Sequence, residues 1–372
     1  MKLYVIEIFQ GLFRMQFTIP RSTLPDNKLL RRQLLDEYFP SDLIPFEECI
    51  GNEWRITSFI PDDVAYYADP HLEKSLEQWH ESIAIKSLGF YWRIYKNAML
   101  SFNDSWSLHY WSLTVQWLRL KGLLPKQVVL LHIDDHMDQG SPLLSINSQN
   151  YNCIFTQKQV NFADPSSIEE AIIQKSINIC SFITPLVHAL ESVTILHLRY
   201  AHAGKSQEHY LSCTYAEDTL LAKGKKRPAL TKAASETKHR YFIASDPSYL
   251  LNKVKDCSLV FLHLDCDGFN NRYNGDSNWK PERASIDLKL DQIKDKINDL
   301  LYQVSQMSCR IFMNVALSPG FFPSEYWQDV CKHIFMTAQN YGIVKDDDLS
   351  EYLKSLYPKE FLNEIFPKVA YS

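Results

Sequence analysis

No stretch of this sequence approaches the roughly 18 uninterrupted apolar residues of a membrane span. The N-terminal run MKLYVIEIFQGLF is broken by Glu7 and Gln10 and lacks a small-residue cleavage site, so it reads as a first strand and not as a signal peptide. There is no excess of positive charge: the net charge is −5, which gives no overall field pointing to nucleic acid. The eight cysteines (Cys49, Cys153, Cys180, Cys213, Cys257, Cys266, Cys309, Cys331) form no C-x-x-C pair and no dense framework. Reduced thiols and a cytoplasmic setting are expected. There is no internal repeat. What remains is an ordinary globular composition, 45% hydrophobic and 22% charged over 372 residues, enough to bury a substantial core.

Two short acidic clusters carry the chemistry. The stretch DDHMD (residues 134–138) directly follows the apolar run VVLLHI (128–133), and DCD (265–267) follows LVFLHL (259–264). Runs of this length predict buried strands of a parallel sheet, and in open α/β sheets the carboxyl ends of strands line the ligand crevice. Alternation along an extended segment places Asp134, His136 and Asp138 on one side, with Asp135 and Met137 on the other. Asp265 and Asp267 share a side in the same way, and Cys266 faces away. Carboxylates crowded together cannot all ionise without compensation, and a divalent cation is the simplest form of it. His109, in the preceding helical region, completes six donors. An oxygen-rich set with imidazole suits Mn²⁺ better than structural zinc, and two ions fit if two carboxylates bridge. Bland readings exist for the parts: a D-x-D after a strand also makes turns and caps, and His109 beside Trp106, Tyr110 and Trp111 also reads as a packed core residue.

Strands alternate with helices along the rest of the chain, predicting an α/β fold with a mostly parallel sheet covered on both faces. Residues 1 to about 60 read as strands and loops, and residues 70 to 120 as helical. Further strands are expected at 193–200 and 309–317, and helices at 166–178, 247–256, 284–306 and 324–340. Residues 204–240, which include KGKKRP, lack periodicity and read as a long polar, basic loop. Such a loop is either a solvated excursion or a lid or docking surface for an acidic or extended partner.

The motifs resemble the arginase and deacetylase superfamily, in particular its ureohydrolase branch. The matching positions are His109, then HIDDHMD with Asp134, His136 and Asp138, then HLDCDGF with Asp265 and Asp267. The likeness runs over roughly residues 105–320. It implies a single arginase-like domain over residues 1–372, three-layered α/β/α, with residues 1–100 as a family-specific N-terminal part. It further implies two Mn²⁺ per chain. One would be held by His109, Asp134, Asp138 and Asp265, the other by Asp134, His136, Asp265 and Asp267, with Asp134 and Asp265 bridging. Asp138 would also accept a hydrogen bond from the attacking water.

After the metal motif the run is Gln139, Gly140, Ser141 and Pro142, and the strand-end stretch is HLRYAH (197–202). Neither matches the residues with which arginases grip a free amino acid. The chain is in this respect similar to the peptide arginases of ribosomal peptide biosynthesis, as is its SPGFFP stretch (318–323). That resemblance implies a ribosomally made precursor peptide as substrate, its arginines converted to ornithine. Ala316 stands where arginases carry the glutamate that holds the guanidinium, leaving Glu325 as the substitute candidate, or equally a first-turn helix acid after Ser324. Glu47 and Glu48 are weaker candidates. His202, after a strand end, is the candidate proton shuttle or else a surface histidine. The competing expectations are a ureohydrolase acting on a small guanidine, a zinc-type deacylase, and a non-catalytic metal-stabilised peptide-binding protein.

Overall fold

In the computed structural model, which describes residues 2–9, 12–38, 44–59, 66–147, 150–202, 204–254, 257–276, 280 and 284–357, the chain opens with an antiparallel sheet. Its strands β1 (Lys2–Phe9), β2 (Leu12–Pro20), β3 (Ile44–Ile50) and β4 (Glu53–Phe59) lie in the order β1-β2-β4-β3, and α1 (Lys28–Tyr38) connects β2 to β3. Ile19, Leu35, Trp54 and Ile56 join the same apolar cluster as Trp111 and Leu130 in the centre of the molecule. The N-terminal part is therefore packed onto the main core.

Next come α2 (Leu72–Gln78), β5 (Trp92–Tyr95), β6 (Ala98–Ser101), α3 (Trp106–Leu120) and β7 (Gln127–Ile133). A small antiparallel sheet of β8 (Leu144–Asn147), β9 (Asn150–Cys153) and β10 (Gln159–Val160) precedes α4 (Pro165–Ile173), α5 (Ile183–Ala189) and β11 (Ser192–Leu198). The chain continues through β12 (Gln207–Glu217), β13 (Lys226–Lys232), β14 (His239–Ala244), α6 (Pro247–Leu251), β15 (Leu259–Asp265), α7 (Leu290–Ser305), β16 (Arg310–Ala316), α8 (Trp327–Asn340) and α9 (Asp348–Leu356).

Nine strands form the central sheet in the order β13-β12-β14-β11-β7-β15-β16-β6-β5. From β14 to β6 all neighbours are parallel, and the edges are antiparallel. Alternation along β7 sends Val128 and Leu130 into one apolar cluster, with Trp111 of α3 and Leu186 of α5. Val129, Leu131 and Ile133 enter the other, with Ile297 of α7 and Ile334 of α8. Helices thus cover both faces, as strands hydrophobic on both sides require.

The connections place the site. From β7 the chain moves to β11 on one side, whereas from β15 it moves to β16 on the other. Adjacent parallel strands whose outgoing connections diverge leave a crevice at their carboxyl ends. The two acidic clusters end these two strands.

Two expectations are corrected. Residues 92–101 are a β-hairpin, β5–β6, turning at Lys96 with φ of 57°; the inward Trp92 and Ile94 outweigh the helical spacing on either side. Residues 204–240 are mostly strand: β12 pairs with both β13 and β14, extending the sheet where a loop was expected. Among the described residues no helix is long and apolar enough to cross a membrane.

Candidate metal centre

Asp134 stands one residue beyond β7 and Asp265 is the last residue of β15, so both carboxylates reach the crevice floor. A tight turn brings their followers back to them. The backbone N–H of Asp267 donates to Asp265 Oδ1 at 3.0 Å, and that of Asp135 donates to Asp267 Oδ1 at 3.1 Å. Gly268 makes this closeness possible: a Cβ there would lie 2.7 Å from the Asp134 nitrogen. Ser318, with φ of 43°, donates its hydroxyl to Asp265, and Asp138 is held at φ of 49°. Left-handed backbone at non-glycine residues costs energy and concentrates at functional sites.

The side chains form three groups that can hold a metal ion. Asp134, His136 and Asp267 offer ligand atoms within 4.8 Å of one another, and so do Asp104, Asp134 and Asp265, and His132, Asp134 and His263. Asp134 is common to all three. His136 Nδ1 lies 3.0 Å from Asp267 Oδ2 and 3.4 Å from Asp134 Oδ1. Asp138 lines the same cavity, and Asp104 Oδ1, Asp134 Oδ2 and Asp138 Oδ2 are buried without a hydrogen-bond partner. Burial raises the proton affinity of Asp104, Asp138 and Asp265 well above the usual carboxylate range, and mutual repulsion adds to it. Asp267 is pushed up to about 6 by burial and then by Asp134. Burial alone would lower His136, but Asp267 and Asp134 more than reverse this and raise it. Unpartnered, desolvated carboxylate oxygens facing one another are what a bound cation relieves.

His109 does not belong to this group. It lies inside α3 with its ring nitrogens 3.1 Å from the Pro165 carbonyl and 3.0 Å from the Tyr357 hydroxyl, packed between Trp92 and Trp106. Asp104, just ahead of that helix, supplies the upstream donor instead. It was missed because its strand, β6, was read as helix: once β6 is placed parallel to β16, Asp104 sits at the same carboxyl edge as the clusters.

Two other expected residues lie elsewhere. Glu325 is paired with Arg272 at 2.5 Å, in the first turn of a short 3₁₀ segment, and does not line the cavity. His202, half-buried in the turn after β11, donates from Nε2 to the Lys205 carbonyl at 3.2 Å and lines no wall of the cavity. Of the weaker candidates, Glu47 is held by Arg31 and Arg32 and Glu48 by Arg55. Asp135 points away, as alternation predicts, receiving Arg199 at 2.8 Å and Asn271 at 2.9 Å. Cys266 is buried in the apolar cluster.

Beneath the carboxylates lies a polar row that the sequence reading left unassigned. His197, His132 and His263 occupy the same register on β11, β7 and β15. His132 Nδ1 and His263 Nδ1 are 2.8 Å apart, and His132 Nε2 lies 3.2 Å from the His136 carbonyl. His197 Nε2 donates to the Asp134 carbonyl at 3.0 Å. Burial lowers all three, His197 to about 4 and His263 to about 3, so they stand neutral; His132 and His197 hold the backbone carbonyls of His136 and Asp134, and His263 holds His132.

The cavity encloses about 250 Å³. Tyr66, Ile179, Pro319 and Phe321 form its walls, and Asn103, Asn274 and Cys180 add polar edges. The Phe321 ring meets His136 edge to face at 5.4 Å. Among the described lining residues there is no lysine or arginine. Compared with known proteins, the chain matches no protein-family model and no curated sequence.

Proposed function

We propose that the chain is an arginase-like ureohydrolase of peptidyl arginine, using two Mn²⁺ to convert arginine side chains within a polypeptide to ornithine and urea. The observation that carries this reading is the cluster of carboxylate oxygens without a hydrogen-bond partner on Asp104, Asp134 and Asp138, in a cavity lined by no lysine or arginine among the described residues. Five carboxylates and one imidazole form a hard, oxygen-rich donor set, which suits Mn²⁺ rather than a thiolate-preferring zinc site. Asp134, His136 and Asp267 would hold one ion, and Asp104, Asp134 and Asp265 the other.

Charge selects the substrate. Asp104, Asp134, Asp138, Asp265 and Asp267 together outweigh two divalent cations, so the loaded site keeps a negative excess that favours a cation and disfavours an anion. A guanidinium is always cationic and planar, and Phe321 and Tyr66 offer aromatic walls to it. A free amino acid also brings a carboxylate, which the walls leave without a basic partner. In a peptide that carboxylate is an amide, so no charge is stranded.

When bound, the two cations supply hydroxide at neutral pH by lowering the pKa of water towards about 7. Asp138, with its Oδ2 unpartnered in the cavity wall, accepts the proton of the attacking water. Addition of the oxygen makes Cζ tetrahedral; when the Cζ–Nε bond then breaks, Asp138 returns its proton to Nε, and the proton of the added hydroxyl also passes to Nε as the C=O bond of urea forms. Arginine and water thus become ornithine, as its ammonium, and urea.

Incubation with Mn²⁺ and an arginine-containing peptide, beside free arginine, tests the reading. The peptide should lose the mass of cyanamide and release urea, with metal analysis giving two Mn²⁺ per chain. Equal turnover of free arginine would refute the peptide assignment, and a single bound zinc would refute the ureohydrolase.

A further inference from the structure

A second groove abuts the metal cavity. Asp138 and Cys180 wall both, so a chain whose side chain enters the cavity can continue into the groove without leaving the surface. The far wall is the base of the β12–β13 hairpin, where Leu211 pairs with Lys232 in antiparallel register. Since side chains alternate, His209 and Leu211 present the same face as Leu230 and Lys232. All four line the groove, and Met137 and Gln139 close it on the side of the metal motif.

Gln139 and Lys232 bring nitrogen donors to this groove. Gln139 Nε2 is buried without a hydrogen-bond partner. Lys232 adds a cation close enough that, after burial, it is the other cause lowering His209. The sole carboxylate in the lining is Asp138, which belongs to the metal centre. Residues 204–240 carry twice as many basic as acidic residues in a chain of net charge −5. An apolar floor with an unpaired amide donor suits extended backbone, and the lysine suits a carboxylate.

We infer that this groove binds the polypeptide flanking the target arginine, and that Lys232 selects for an acidic side chain in that segment. The inference rests on the peptidyl-arginine reading and names a preference within it.

The test uses the full chain loaded with Mn²⁺ and two fluorescein-labelled peptides, each with one arginine, flanked by aspartates in one and by lysines in the other. Polarisation reads binding, and urea release reads turnover. The aspartate peptide should bind about tenfold more tightly than the lysine peptide at low salt, with the gap narrowing as salt rises. Lys232→Glu should reverse the preference and act on KM while leaving kcat within about twofold, whereas Lys232→Arg should keep it. Thermal melts of both variants confirm folding.

Equal binding of the two peptides, binding of neither, or a preference unchanged in Lys232→Glu overturns the inference. If Lys232 governs binding but no peptide releases urea, the surface stands and the hydrolase reading falls. Urea release at equal KM from both peptides gives the reverse.

Discussion

Asp104 and His109 belong to the same short stretch of chain, yet one faces the carboxylate cluster and the other is sealed among aromatic rings. Their substitutions separate two kinds of loss. Asp104→Asn keeps the shape and removes the charge, so it should lower bound Mn²⁺ to one per chain and cut turnover by more than about a hundredfold, beyond the usual cost of disturbing an outer-shell group. His109→Ala removes the hydrogen bonds of the ring with the Tyr357 hydroxyl and the Pro165 carbonyl and opens a void beside Trp92 and Trp106. It should cost about 1–3 kcal/mol of stability while metal content stays unchanged. Metal analysis after gel filtration and thermal melts check both, and loss of metal in His109→Ala would restore the histidine to the ligand set. Asp134→Ala is the severest change, since Asp134 serves all three groups, and both ions should be lost.

At the scale of elements, the site depends on β15 and the turn after it approaching β7. Gly268→Ala puts a methyl 2.7 Å from the Asp134 nitrogen and 3.0 Å from the Ile133 carbonyl carbon. Backbone cannot yield as a side chain can, so the variant should lose about 1–3 kcal/mol and bind Mn²⁺ more weakly, read by denaturant unfolding and metal titration. Retained affinity would mean that the turn is looser than its hydrogen bonds suggest. The β7 and β15 strands were legible in the sequence because each is a buried apolar run closed by charge, a signal needing no tertiary context. The β5–β6 hairpin and the β12–β13 pair were not. In the hairpin β6 is wholly buried and only β5 alternates, so Trp92 and Ile94 at two-residue spacing sit within a longer run that also fits a helix. Polar β12 and basic β13 lack sustained apolar periodicity, and their order comes from the pairing of β12 with β14 and of β13 with β12. Asp104 was hidden by the same error: a carboxylate at a strand end is visible only when the strand is recognised. Glu325 is held by a partner 53 residues away, Arg272, which spacing alone does not reveal, whereas His202 turns to the Lys205 carbonyl of its own loop.

For the whole molecule, the cluster ties stability to pH and to metal. Asp267 titrates at about 6 in the folded chain, against about 3.9 for an unfolded aspartate. The folded state thus binds this proton more tightly, and the associated stability is fully present below about pH 4 and lost as pH rises through 6. Asp104, Asp134, Asp138 and Asp265 are shifted in the same direction, and the raised His136 also favours the protonated fold. Asp135 opposes them: although burial would raise it, Ser285, Arg199 and Asn271 hold it low, so its contribution fades only in acid. The metal-free chain should therefore be more stable, and melt at a higher temperature, at pH 5 than at pH 8, the stability difference being a few kcal/mol, on the order set by one or two such shifts. Mn²⁺ binds the ionised carboxylates and competes with protons, so it should raise the melting temperature more at pH 8 than at pH 5, each site adding about 2.7 kcal/mol of stability where the Mn²⁺ concentration is a hundredfold above Kd. Calorimetry in EDTA and in Mn²⁺ across this range measures both slopes. A melting temperature that ignores pH in EDTA and ignores added Mn²⁺ at pH 8 would mean that the carboxylates share protons among themselves and hold no cation, and the hydrolase reading would fall with them.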